Sequence, residues 1–236
     1  MEFAEGAPCW ADAALPDVEA GKRFYGDLFG WTFDEGAGAE YGYYTQAYTQ
    51  AYTQAYSDGR TVAALAPDRD GRTPTGWTVH FKARDAETVA SAVQDSGGRL
   101  LVEPLSIGAF GTMTLAADPE GTVFGLWQAG THSGFETRGE PGTFRRAELR
   151  AHDMTAVAPF YASVLGHGAA DLLISGATWD VPARFLVHFA VTDCEATAEA
   201  ATRLGGRVKE EPFDTPYGRV AVLTDNQGAA FAVHQG

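Results

Sequence analysis

The sequence is short of three things, and each shortage closes off a class of function. Cysteine is the first: only Cys9 and Cys194 occur in 236 residues. They lie far apart and in no Cys-x-x-Cys or His-rich spacing, so neither a disulfide framework nor a structural zinc site is indicated, and both read as buried thiols. Positive charge is the second. Lys and Arg number 17 against 31 Asp and Glu, a formal net charge of −14, so the mean field repels nucleic acid and anionic membrane and offers nothing to phosphate. Long apolar runs are the third. No stretch approaches the roughly 18 to 20 residues that span a bilayer, and the opening Met-Glu-Phe-Ala-Glu has neither the basic nor the apolar region of a signal peptide. A soluble, cytoplasmic protein with no nucleic-acid and no membrane partner is expected.

What is present is a normal hydrophobic share of 45%, enough for two ordinary domains or one large one. Internal repetition decides between them. Arg23-Phe24-Tyr25-Gly26-Asp27-Leu28-Phe29-Gly30 is echoed by Pro159-Phe160-Tyr161-Ala162-Ser163-Val164-Leu165-Gly166, each after an aspartate, Asp17 or Asp153, placed to cap a helix. Each ends on a glycine suited to a left-handed helix stop. A longer echo pairs His80-Phe81, Asp85, Gly97-Gly98-Arg99 and Glu103-Pro104 with His188-Phe189, Asp193, Gly205-Gly206-Arg207 and Glu211-Pro212. It continues through Gly111, Asp118, Gly121, Phe124 and Gln128 against Gly218, Asp225, Gly228, Phe231 and Gln235. Within each half an alternating strand (Trp10 to Leu15, Trp77 to Ala83) leads to a capped helix, a glycine and short strands, a β-α-β-β-β rhythm. Thr131 to Glu140, rich in Gly, Ser, Thr and charge, breaks the period and reads as a linker. Domain 1 is therefore placed at 7–130, the linker at 131–140, and domain 2 at 141–236.

Paired β-α-β-β-β modules, the Phe-Tyr-x-x-Leu-Phe-Gly-Trp ending of the first helix, the Gly-Gly turn and Asp-Pro-Glu-Gly resemble the glyoxalase/bleomycin-resistance (vicinal oxygen chelate) superfamily, over nearly the whole chain. The resemblance implies an α+β fold of tandem domains, each with two βαβββ modules curling around a cleft, where enzymatic members hold a divalent metal through His, Gln or Glu. Carried over residue by residue, those ligand positions fall on Trp10, Thr78 and Gly125 in domain 1, and on Arg146, Leu186 and Ala232 in domain 2. None is a usual ligand for a catalytic divalent metal, so no family-type metal site and no cofactor is expected. A register slip of one residue would reverse every side chain, and Asp12, His80, Glu148 and His188 lie two residues from these positions, which keeps a displaced site open.

Residues two apart on a strand share a face. Trp10 and Asp12, Thr78 and His80, Arg146 and Glu148, and Leu186 and His188 are therefore expected to face the clefts; the resemblance, in which the first strands of the two modules meet at a pseudo-twofold axis, further implies Asp12 opposite His80 and Glu148 opposite His188. A carboxylate beside an imidazole suits general acid–base work, but a buried structural pair is the preferred reading, because one acid and one histidine without a nucleophile or metal is a weak constellation. The ligand-binding set expected in domain 1 is Trp10, Thr78, His80, Phe110, Gly125 and Trp127, an aromatic lining with few polar groups; Trp31, Tyr43 and Trp77 also lie near this cleft by sequence. Phe24, Tyr25, Phe160 and Tyr161 are assigned to the core.

Two stretches break the pattern. Thr45 to Tyr56 is a triple Thr-Gln-Ala-Tyr repeat, read as a duplicated exposed loop. Between Gly166 and Phe185 there is room for one short hairpin, so domain 2 should have the shallower cleft and domain 1 should be the binding half. The leading expectation is a small-molecule binding protein for an apolar or aromatic metabolite or antibiotic, not an enzyme. The alternatives are a metal-independent or atypically liganded lyase or isomerase using Asp12 and His80, and a scaffold whose sheet or Tyr-rich loop contacts another protein. Monomer and homodimer both remain open.

Overall fold

The structure is a computed structural model that describes residues 1–34, 52–68, 75–178 and 181–236. Its elements, in order, are β1 (Pro8–Leu15), α1 (Val18–Phe29), β2 (Thr32–Phe33), β3 (Thr53–Ser57), β4 (Arg60–Pro67), β5 (Gly76–Lys82), α2 (Ala86–Asp95), β6 (Arg99–Ser106), β7 (Gly111–Ala117) and β8 (Val123–Ala129). The second half supplies β9 (Phe144–Ala151), α3 (Met154–Leu165), a 3-10 segment (Gly166–Asp171), β10 (Leu172–Gly176), β11 (Arg184–Ala190), α4 (Cys194–Arg203), β12 (Arg207–Thr215), β13 (Gly218–Thr224) and β14 (Ala230–Gln235). One sheet runs β2-β3-β4-β1-β5-β8-β7-β6 and the other β10-β9-β11-β14-β13-β12. This is the expected mixed α+β architecture of βαβββ modules, and each sheet stays within one half of the chain.

The compact packing units follow a different partition. The first unit is Met1–Trp10, Thr78–Gly134 and Arg146–Leu186; the second is Ala11–Trp77, Phe135–Arg145 and Val187–Gly236. Each unit thus takes a module from either half, and the echoes in the sequence are the contacts that join them. In the first unit, the Tyr161 hydroxyl of α3 donates to Asp118 Oδ2 at 3.1 Å, while Asp118 Oδ1 accepts from the Glu120 and Thr122 amides at 2.9 and 2.8 Å. Glu120 then accepts from the amides of His152 (2.9 Å) and Asp153 (2.5 Å), just ahead of α3. In the second unit the same set recurs. Tyr25 of α1 donates to Asp225 at 3.1 Å, and Asp225 Oδ1 accepts from the Gln227 and Ala229 amides. Gln227 accepts from the Asp17 amide at 2.7 Å and donates to the Asp17 carbonyl at 2.9 Å. Burial pushes both aspartate pKa values up and both tyrosine pKa values well up.

The helices form where the sequence places them. Asp17, Asp85, Asp153 and Asp193 each accept from an amide of the first turn, satisfying donors that the helix cannot pair itself. The side chains of Gln128 and Gln235 accept from the amides of Ala86 and Cys194 at the starts of α2 and α4. Gly30 stops α1 in the left-handed conformation, with its N–H on the Gly26 carbonyl; Gly166 has positive φ but an extended ψ of −130°, because the chain turns straight into the 3-10 segment. Gly98 and Gly206 serve close approach. A Cβ on Gly98 would sit 2.7 Å from the Phe160 ring, and one on Gly206 3.1 Å from the Phe24 ring.

Phe160 and Tyr161 sit in the first unit's core with Phe81, Phe124 and Phe185. Phe24 and Tyr25 sit in the second unit's core with Trp31, Trp77 and Phe231. The core assignment of these helix aromatics holds, whereas Trp31 and Trp77 belong to that core and not to a cleft wall. Trp77 Nε1 donates to the Tyr25 hydroxyl at 3.0 Å, and Trp31 Nε1 to the Gly142 carbonyl at 2.7 Å. Each indole thus finds the partner that its buried N–H requires.

Two expectations change. The last Thr-Gln-Ala-Tyr copy is strand β3 and not a loop: Thr53 and Ala55 are buried and pair with Leu65 and Ala63 of β4, since the Thr/Ala and Gln/Tyr alternation is a two-residue period. The earlier copies up to residue 51, and Tyr43, lie outside the described residues. The segment after α3 is not a hairpin; the 3-10 turn consumes it, and the described residues hold the single strand β10, parallel to β9 as β4 is to β1. No helix among the described residues is long and apolar enough to cross a membrane.

Candidate functional site

In the first unit, β5, β8, β7 and β6 present one face to the helices and one away from them. Phe124 and Leu126 of β8 are fully buried on the helix side; Val123, Gly125 and Trp127 alternate to the other. Register places His80 beside Gly125, Leu115 across from Gly125, Met113 across from Trp127, and Leu105 across from Met113, so all share that outer face. Leu105, Met113 and Leu115 are half-buried, as is Thr78.

Strand β7 has its polarity reversed. Thr114 is wholly buried on the helix side opposite Leu126, and its hydroxyl has no hydrogen-bond partner among the described residues. Its neighbours Met113 and Leu115 turn their apolar side chains outward. The equivalent strand of the second unit, β13, is apolar on both faces, with Val220, Ala221 and Val222 all buried.

The expected ligand-binding residues are distributed as follows. Trp10 and Trp127 are only 4% and 9% exposed, because the start of the expected linker covers them. The His132 ring meets Trp10 edge-on at 4.6 Å and Trp127 at 5.8 Å, and the His132 carbonyl accepts from Trp127 Nε1 at 2.8 Å. Phe110 is half-buried in the β6–β7 turn, where its carbonyl accepts from the Gly130 and His132 amides at 2.8 and 3.2 Å. His132 and the outward face of β7 escaped the sequence reading. The alternation Thr112-Met113-Thr114-Leu115 was the available signal, although taken alone it suggests the opposite facing. Gly125 makes room for a neighbour: a Cβ there would lie 2.0 Å from His80 Nδ1, so the imidazole covers its Cα. His80 is buried; its carbonyl accepts a 3.4 Å contact from the thiol of Cys9, whose pKa burial raises to about 12.

The acid–base candidates are divided between the two units. Asp12 and His80 belong to different units, as do Glu148 and His188. Asp12 accepts from the Tyr52 hydroxyl at 3.2 Å. Glu148, buried on β9, accepts from the Ser175 hydroxyl at 2.5 Å and from Arg150 Nε at 3.3 Å. His188 is buried beside Ala232, with its ring 5.9 Å from that of His234.

Comparison with known proteins agrees with this architecture. Residues 10–126 match the model of the Glyoxalase/Bleomycin resistance protein/Dioxygenase superfamily. The chain is 37% identical to the anthracycline biosynthesis protein DnrV of Streptomyces peucetius, covering 98% of this chain and 94% of that one. This protein belongs to the glyoxalase/bleomycin resistance/dioxygenase superfamily. CFP32 of Mycobacterium tuberculosis is 34% identical over 98% of this chain and 95% of its own. Among solved structures, the 2,3-dioxygenase LapB of Pseudomonas sp. KL28 superposes with a TM-score of 0.66 at 14% identity, covering 100% of this chain and 94% of that one, a likeness of fold alone.

The superfamily's metal does not fit the residues present. Its first-half positions hold an indole, one hydroxyl and a bare Cα that the His80 ring already covers. Among the described residues no three His, Cys, Asp or Glu side chains converge as a metal site would require.

Proposed function

We propose that this superfamily member binds a planar, largely apolar aromatic small molecule on the outer face of β5–β8, without using the superfamily's metal. The observation that carries the reading is the reversed polarity of β7. A buried, unpartnered threonine hydroxyl costs stability, and apolar side chains turned outward forfeit burial. A chain keeps such a conflict between local rule and fold chiefly where function uses the exposed face. Leu105, Met113 and Leu115 supply a dispersive floor, and Thr78 on β5 a hydroxyl handle. The fixed indole and imidazole of Trp127 and His132 border it, a composition usual for small-molecule sites. The name of DnrV directs the choice of ligand toward fused aromatic rings.

Calorimetric titration of the full chain with a hydroxyanthraquinone tests this. Saturable binding is expected, and Met113→Glu, which sets a carboxylate on the half-buried floor, should weaken it by about tenfold or more. No saturable heat, or heat unchanged by Met113→Glu, would refute the assignment.

A further inference from the structure

The outer face of β5–β8 also holds a cation. On β5, Val79 and Phe81 are fully buried on the helix side, so Lys82 continues the opposite series from Thr78 and His80. Register sets Lys82 beside Trp127, Trp127 across from Met113 and Met113 across from Leu105, a row that crosses the sheet from β5 to β6. The backbone at Lys82 is fixed: its amide donates to the Ala7 carbonyl at 2.9 Å and its carbonyl accepts from the Gly6 amide at 2.8 Å. The side chain is half-buried and makes no ion pair or hydrogen bond among the described residues. Lys22 and Arg219, also half-buried, hold the carboxylates of Glu19 and Glu195. The Lys82 charge reaches the Cys9 thiol, whose pKa burial raises and Lys82 lowers, but a thiol that stays neutral gives the ammonium no counter-charge.

We propose that Lys82 reads the charge of the ligand in the aromatic site, so that the ligand class is a planar aromatic carrying an ionised oxygen, carboxylate or phenolate, at one edge. An ammonium is a compact point charge that pairs with a single oxyanion through a charge-assisted hydrogen bond, and partial burial strengthens the pairing relative to water. Half-buried without a carboxylate, the ammonium has lost hydration that nothing in the fold replaces; an incoming oxyanion replaces it. Strands lie about 4.8 Å apart, so Lys82 stands roughly 10 Å along the sheet from Met113, a span that a fused-ring molecule covers with its rings on Met113 and Leu115 and its oxyanion at the ammonium. In a chain of net charge −14 the mean field disfavours an anionic ligand, so recognition of one needs a local cation where the oxyanion comes to rest. The assignment rests on the aromatic-ligand reading of the same face and adds to it the sign of the ligand's charge.

Calorimetric titration of the full chain with anthraquinone-2-carboxylate, and with its uncharged isostere anthraquinone-2-carboxamide, tests the two assignments separately. Wild type should bind the carboxylate about tenfold more tightly than the carboxamide, and the margin should shrink as salt is added. Lys82→Gln should weaken the carboxylate by about tenfold and leave the carboxamide unchanged, while Lys82→Arg, which keeps the charge, should keep the preference. Equal affinities for the two probes in wild type, or a loss on Lys82→Gln that both probes share equally, would overturn the Lys82 assignment and leave the aromatic-ligand reading standing. No saturable heat from either probe would remove the aromatic-ligand reading itself, and the Lys82 assignment with it. The wild-type comparison decides the matter even where a variant fails to fold.

Discussion

Thr114 on the helix side and Gly125 on the outer face illustrate how much a single position on the sheet determines. Thr114 sits fully buried with no partner for its hydroxyl among the described residues, so the isosteric Thr114→Val should raise stability by about 1 kcal/mol in urea unfolding. It should do so without altering hydroxyanthraquinone binding, since the side chain points to the helices. Gly125→Ala should do the reverse. Its Cβ would meet the His80 ring at 2.0 Å, a clash that only a moved imidazole or a shifted strand relieves, at about 1 to 3 kcal/mol. The His80 ring resonances should move with it; an unshifted imidazole and unchanged stability would show that the ring does not rest there. The sequence displayed both residues, but not their facing. Glycine at a strand position is silent about which neighbour uses the space, and Thr-x-Thr alternation reads naturally as polar-out.

At the scale of elements, the capped helices, the Gly-Gly turns and the module order were all legible, because caps and turns are local chemistry repeated at fixed spacing. The mutual roles of the motifs were not legible. Nothing local says that the Asp-Pro-Glu-Gly turn docks on α3, yet Asp118 holds the Tyr161 hydroxyl while Glu120 accepts two amides at the α3 start. That docking carries a pH signature. Desolvation raises the Asp118 pKa in the fold above its ordinary value, so the native state binds the proton more tightly than the unfolded chain does. The resulting stability is fully present below the unfolded carboxylate pKa of about 3.9. It is lost as pH rises through the higher folded value, because there the unfolded state binds fewer protons. Denaturation between mildly acidic and neutral pH should therefore show wild type losing stability relative to Asp118→Asn. Parallel curves for the two proteins would remove the burial argument.

For the whole molecule, the repeat predicted two domains, 7–130 and 141–236, and the sheets respect that division while the packing units do not. Sequence periodicity identifies modules, but it cannot tell whether a module buries its helix against its own half or the other, since both leave the same amphipathic pattern. The two tyrosine–aspartate bonds make the difference measurable. Tyr25 belongs to the first half and its acceptor Asp225 to the last strand pair; Tyr161 belongs to the second half and Asp118 to the first. Double-mutant cycles on the full chain should give coupling energies of about 0.5 to 3 kcal/mol for Tyr25→Phe with Asp225→Asn and for Tyr161→Phe with Asp118→Asn. The combinations within a half, Tyr25→Phe with Asp118→Asn and Tyr161→Phe with Asp225→Asn, share no bond and lie in different units, so their effects should add. Coupling within halves and additivity between them would mean that the halves pack as separate domains; the reverse pattern means that neither the α1 nor the α3 tyrosine completes its hydrogen bond without the other half.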